Sequence, residues 1–184
     1  GDHRDLHSFP TRRSSDLGTL YVANTEKGQW LALDWETQPV LKKKFKDQTE
    51  VLVRAREAAK LLGATELNRP EDIEIDPITG NILVSLTNNK KKKDFHGSIL
   101  KIEETKGAFD ALTFKASTYL AGGEANGFSC PDNLAFDQAG NLWMTSDMSG
   151  SSMNKANKPY MPFKNNSLFG SEEHTSELQS LTNL

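Results

Sequence analysis

Two acids, Glu71 and Asp132, hold the same place in two copies of one sequence motif. The first copy, residues 70–87, reads PEDIEIDPITGNILVSLT, and the second, residues 131–147, reads PDNLAFDQAGNLWMTSD. Each runs Pro, acid, polar residue, an alternating apolar strand, Asp, a Gly-Asn turn and a second strand with Ser or Thr near its end. Carboxylates that recur at one height in a repeat array converge on a common axis. Unpaired, they repel one another and their pKa values rise. A hard cation such as calcium, which takes six to eight oxygen ligands in flexible geometry, relieves that repulsion. Asn88, Asn89 and Asn133 are candidates to add neutral oxygens, whereas Asp147 reads as a turn acid, with a ligand at the channel mouth as the alternative. The competing reading is that these Asp and Asn residues only cap turns and strand starts.

The repeat fixes what must position the acids. GTLYVAN at 18–24 matches the second-strand half of the motif, and the turn glycines Gly18, Gly80 and Gly140 recur at a period of about 60 residues. Strands are expected at GTLYVAN and GQWLALDW (28–35), as a hairpin across DPITGN, at GSILKIEE and ALTFKASTYLAGG, and at PDNLAFD and NLWMTSD. Pro39 and the lysines at 42–44 mark a loop. One helix is expected over 51–63, where Ala55, Ala58, Ala59 and Leu62 share a face and Gly63 follows the helix end. The fold class is therefore all-β: a partial β-propeller of about two to three four-stranded blades from a probable six-bladed ring, with one short inserted helix.

The ends read differently from the middle. HSFPTRRSSDL (7–17) and SEEHTSELQS (171–180) resemble translated sequencing-adapter sequence. The expected organisation is a non-native segment at 1–17, a propeller domain at 18–170 and a second non-native segment at 171–184, with the native part an internal piece of a longer protein. The formal net charge of −3 lies in the last fourteen residues, since 171–184 carry three Glu and no Lys or Arg while 1–17 balance. A neutral 18–170 gives no global field for nucleic acid or an anionic membrane. No apolar run approaches transmembrane length. The single cysteine, Cys130, excludes an intrachain disulfide framework.

The run TEVLVRAREAAKLLGATELNRPEDIEIDPITGNILVSLTNN, followed by HGSILKIEE, resembles the PhoX-type alkaline phosphatases. FSCPDNLAFDQAGNLWMTSD resembles a later segment of the same family. Asp72 stands where that family has an aromatic residue, Asn133 where it has Gly and Cys130 where it has Ser. The resemblance implies a six-bladed propeller that hydrolyses small-molecule phosphate monoesters, with calcium and ferric iron as cofactors near the channel mouth. It makes Arg69 the phosphate clamp, and Glu71 and then Asp132 metal ligands. It also implies export to the periplasm or cell surface. The iron-binding cysteine of the family lies upstream, so Cys130 is read as a small semi-buried residue, and the chain alone is expected not to assemble the site.

Two rival readings are a calcium-dependent lactonase-type propeller, which explains residues 131–147 but not Arg69-Pro70-Glu71, and a non-catalytic binding propeller. The lysines at 90–93 read as a solvated loop, because no aromatic residues interleave them for base stacking. His96 has no His or Cys at ligand spacing and reads as a turn histidine. Trp143 and Phe136 read as core residues of a hairpin. Residues 18–170 contain no GxSxG, P-loop or dinucleotide fingerprint.

Overall fold

A computed structural model describes residues 18–108 and 110–171 and the backbone of 178–180. The expectation that both ends are non-native therefore lies outside the described residues, except at Ser171 and along the 178–180 backbone. The chain divides into two compact units between Thr65 and Glu66.

The first unit opens with the expected hairpin. Strands β1 (Tyr21–Asn24) and β2 (Gln29–Ala32) pair antiparallel, Tyr21 opposite Ala32 and Asn24 opposite Gln29. Three short helices follow, not one: α1 (Pro39–Lys42), α2 (Gln48–Val53) and α3 (Ala55–Leu62). The region around Pro39 was expected as a loop. Proline at the first helical position presets the backbone, and Leu41, fully buried, anchors the turn. The expected single helix over 51–63 is interrupted at Arg54, which leaves helical geometry at φ −107°, ψ 36°. Two β-branched valines close α2 and disfavour its continuation. Asp47 caps α2 by accepting the Glu50 amide at 2.8 Å. Gly63, left-handed at φ 81°, ends α3 as expected, its amide bonding to the Lys60 carbonyl and that of Ala64 to the Ala59 carbonyl. The Ala face of α3 lies on Leu33, Leu41, Phe45 and Val51. Burial of each of the larger of these side chains contributes roughly 1.5–3 kcal/mol.

The second unit holds two four-stranded antiparallel sheets, each a simple meander. The first is β3 (Pro70–Ile75), β4 (Ile82–Leu86), β5 (Ser98–Glu104) and β6 (Phe114–Ala121). The second is β7 (Pro131–Phe136), β8 (Leu142–Ser146), β9 (Leu168–Ser171) and β10 (Leu178–Ser180). Residues expected to be non-native thus supply the end of β9 and the fourth strand of the second sheet. Among the described residues the fold is mostly β, as expected, in three antiparallel sheets. One core joins the two larger sheets, built from Leu83, Ile99 and Leu120 on one side and Leu134, Leu142, Met144 and Phe169 on the other. Phe136 packs at its margin. Trp143 lies over Gly170, where an added side chain would come within 3.3 Å of the indole ring.

The doubled motif folds the same way twice. Asp76 and Asp137 each accept amides of the following turn, from Ile78 and Thr79 in the first copy and from Ala139 and Asn141 in the second. Gly80 and Gly140 complete those turns at φ 72° and 85°. Both first strands carry a bulge just after the proline, between Pro70 and Ile73 and between Pro131 and Leu134. β3 and β7 are the edge strands of their sheets and run alongside one another. Among the described residues no helix is long and apolar enough to cross a membrane.

Candidate functional site

The bulges bring the repeated acids to one end of the two sheets. Arg69 and Cys130 precede the two prolines, and both adopt a left-handed backbone, at φ 53° and 55°. A residue before proline ordinarily stays extended, and a left-handed non-glycine residue costs roughly 1–2 kcal/mol. The surroundings hold each in place. The Thr87 amide donates to the Arg69 carbonyl at 3.1 Å, and its hydroxyl donates to the same oxygen at 3.3 Å. The Asp147 amide donates to the Cys130 carbonyl at 2.8 Å, the matching bond in the second copy. Gly97 backs this corner: a Cβ there would lie 2.1 Å from the Leu86 carbonyl oxygen, so no larger residue fits.

Within the bulges the correspondence continues. The Asp72 amide donates to the Ser85 hydroxyl at 2.9 Å and the Asn133 amide to the Thr145 hydroxyl at 3.1 Å. Asp72 also reaches across, its Oδ2 accepting the Leu134 amide of β7 at 2.8 Å. That bond ties the strand of Glu71 to the strand of Asp132.

The three sequence candidates meet at this end. Arg69 Nη2 lies 2.9 Å from Glu71 Oε1, with both side chains partly open to solvent. Asp132 has its carboxyl raised above the usual carboxylate range, first by burial, then by the charges of Asp147 and Glu71, while Arg69 opposes the shift. Asp147, read from the sequence as a turn acid, is an electrostatic neighbour of Asp132. Like charges gathered here are what a hard cation relieves, and Glu71 and Asp132 fit one such as calcium as oxygen donors. Among the described residues no three of His, Cys, Asp or Glu are grouped to hold a metal ion. Cys130 is fully buried, its sulfur accepting from Asn88 Nδ2 at 3.4 Å and donating to the Phe95 carbonyl at 3.5 Å, which leaves it inside the scaffold and not at the open corner.

The asparagines mostly serve the scaffold. Asn89 is engaged at both ends, its Nδ2 donating to Asn68 Oδ1 at 2.9 Å and its Oδ1 accepting the Lys92 amide at 3.2 Å. Asn68 in turn donates to Asp94 Oδ2 at 2.9 Å, so a side-chain network fixes the approach to Arg69. Asn133 Oδ1 accepts from Thr145 Oγ1 at 3.5 Å. Residues 90–93 form an exposed turn, as expected. His96 Nδ1 contacts Ser129 Oγ at 3.0 Å, and its ring lies 5.4 Å from that of Phe163.

Sequence reasoning missed Tyr160. The loop of residues 147–167 lacks periodicity, yet it buries Tyr160 against Cys130 and Met148. Tyr160 Oη is buried without a hydrogen-bond partner. Burial first, and the Cys130 thiol beside it, push the phenol upward; the sulfur falls short of hydrogen-bond geometry. The available signal was the aromatic pair Tyr160 and Phe163 within an otherwise polar stretch.

Repeated four-stranded antiparallel sheets, with Arg69, Glu71 and Asp132 at one end of adjoining edge strands, define a mostly β repeat protein. The family model described as alkaline phosphatase PhoX matches residues 3–183, and the chain belongs to that family. A solved structure, Pseudomonas fluorescens PhoX in complex with vanadate, a transition state analogue, is similar to it at 27% identity and a TM-score of 0.83. That similarity covers 98% of this chain and 37% of the solved one. No curated protein matched the chain.

Proposed function

We propose that the protein carrying this chain is a metal-dependent phosphatase that hydrolyses phosphate monoesters at the mouth of a β-propeller channel, and that this chain contributes two four-stranded blades and part of a third. The observation that carries the reading is the meeting of Arg69, Glu71 and Asp132 at one end of adjoining edge strands. The family membership supports it.

The reaction transfers a phosphoryl group to water. The water oxygen bonds to phosphorus, the bond from phosphorus to the ester oxygen breaks, and the alcohol leaves with a proton. Arg69 offers a planar guanidinium that binds two phosphoryl oxygens at once and neutralises charge that grows in the transition state. Thr87 holds the Arg69 carbonyl and so fixes the point from which that side chain projects. Glu71 keeps Arg69 oriented while no substrate is bound. Glu71 and Asp132 would hold a hard cation, with Asp147 as neighbour, and the remaining ligands would come from parts of the protein outside this chain. When bound, such a cation supplies charge neutralisation at the phosphoryl oxygens and a more acidic water.

The test is an assay of the full-length protein on an aryl phosphate and on a lactone, with calcium and after chelation. The expected result is aryl phosphate hydrolysis that the chelator abolishes and calcium restores. Lactone hydrolysis without phosphate hydrolysis would overturn the reading in favour of a lactonase-type enzyme.

A further inference from the structure

Four consecutive lysines, residues 90–93, leave the first large sheet at the same end as Arg69. The register fixes this. Pro70 stands opposite Leu86, and Leu86 opposite Ser98, so the start of β3, the end of β4 and the start of β5 lie abreast. The connection from β4 to β5, which carries the lysines, therefore emerges beside the residue that precedes Pro70. A side-chain bond ties the two together: Asn89 Nδ2 donates to Asn68 Oδ1 at 2.9 Å. Lys90 follows Asn89 directly, as Arg69 follows Asn68.

The lysine turn is bonded from several sides. The amides of Asn89 and Asp94 each donate to the other's carbonyl, at 2.7 and 3.0 Å, and close the ends of the run. The Lys92 amide donates to Asn89 Oδ1 at 3.2 Å, and the Lys93 amide donates to the Lys90 carbonyl at 3.2 Å. Asp94 anchors the base, Oδ1 accepting the Gly97 amide at 2.8 Å and Oδ2 accepting from Asn68 Nδ2 at 2.9 Å. All four lysines are exposed, and none is ion-paired with another described residue. Asp94 is the one acid in the connection of residues 87–97, so most of this positive charge is uncompensated locally.

Such a surface acts at a distance. It raises the local concentration of anions, over a screening length of about 30 Å at 0.01 M salt and about 8 Å at 0.15 M. At the corner the opposing charges are those of Asp132, Asp147, Glu71 and Asp72, which repel an incoming phosphate dianion, with Arg69 against them. No aromatic residue interleaves the lysines to stack a base, which favours a small anion over a nucleic acid.

We propose that the turn of residues 90–93 draws anionic substrates to the Arg69 corner, so that the enzyme favours phosphate esters whose alcohol carries a further negative charge. The inference rests on the phosphatase reading above. The lysines touch no reacting atom; they act on encounter and binding, and no bond is made or broken through them.

The experiment compares kcat/KM of the full-length protein for phenyl phosphate and for para-carboxyphenyl phosphate, which adds one carboxylate, at low and high salt. Lys90→Gln, Lys91→Gln and Lys92→Gln are combined, leaving Lys93 at its left-handed position, φ 62°. At about 0.01 M salt the triple variant is expected to lose about fivefold to tenfold for phenyl phosphate, and about twofold to threefold more for the carboxylated ester, with kcat changing less. At about 0.5 M salt the variant and the wild type are expected to agree within about twofold. Equal kcat/KM at low salt, or a loss that persists undiminished at high salt, would overturn the role of the turn and leave the phosphatase reading standing. Hydrolysis of neither ester by the wild type would overturn the phosphatase reading and this inference with it.

Discussion

Asp72 Oδ2 accepts the Leu134 amide at 2.8 Å, so the bulge of one edge strand is bonded to the bulge of the next. The same carboxylate takes its own neighbour's amide, Ile73, at 2.8 Å through Oδ1. One side chain therefore sets the relative height of Glu71 and Asp132. Asp72→Ala leaves the Leu134 amide without its acceptor and is expected to cost about 1–3 kcal/mol of stability, read as a shift in denaturant midpoint. Asp72→Asn keeps one acceptor oxygen and is expected to cost less. Equal costs for the two variants would show that the cross-strand bond does not matter.

The left-handed backbone at Arg69 separates stability from chemistry. Arg69→Gly and Arg69→Ala both delete the guanidinium, but only glycine adopts φ 53° without strain. The glycine variant is expected to be more stable than the alanine variant by about 1 kcal/mol, measured by equilibrium denaturation. A more stable alanine variant would contradict the strained geometry.

Asp137 gives a pH signature. Its carboxyl is held down to about 2 from an ordinary 3.8, chiefly by the Asn141 amide side chain and then by the Trp143 indole N–H. A carboxylate depressed in the folded state contributes stability that is complete above its unfolded pKa and is lost as pH falls through the folded value. The melting-temperature gap between wild type and Asp137→Ala is therefore expected to be constant above pH about 5 and to shrink between pH about 4 and 2. A gap that stays constant through that interval would count against the shift.

Asp132 carries the opposite sign. A carboxyl raised in the folded state favours folding at low pH, and that contribution disappears as pH rises through its folded pKa. At neutral pH the clustered charges with Asp147 and Glu71 then weigh against folding unless a cation binds. Calcium is expected to raise the melting temperature of the full-length protein at pH 7, and to raise it less in Asp132→Asn. An equal calcium shift in both proteins would remove Asp132 from the ligand set.

The sheets were legible in the sequence because half-buried strands alternate with period two and the turns carry Asp and Gly at fixed offsets, as at Asp76 and Gly80 and again at Asp137 and Gly140. Gly63 marked the end of α3 for the same local reason. The helical region was less legible. Arg54 and the small apolar anchor at Leu41 depend on tertiary packing, which outweighs propensity over four to eight residues. At the site, Arg69, Glu71 and Asp132 were visible as a repeated Pro-acid step and a family resemblance. Asp72 and Thr87 were not, because their roles lie in bonds to Leu134 and to the Arg69 carbonyl that no local pattern encodes. Tyr160 was hidden in a loop whose composition is polar although its packing is not.

In the proposed site Arg69 binds the phosphoryl group while Glu71 and Asp132 hold a cation. The most direct measurement is phosphate-ester turnover by the full-length Arg69→Ala protein with its metal content determined in the same samples. The expected result is a fall in kcat/KM of about a hundredfold or more with metal content unchanged. Wild-type turnover by a fully metallated Arg69→Ala protein would contradict it.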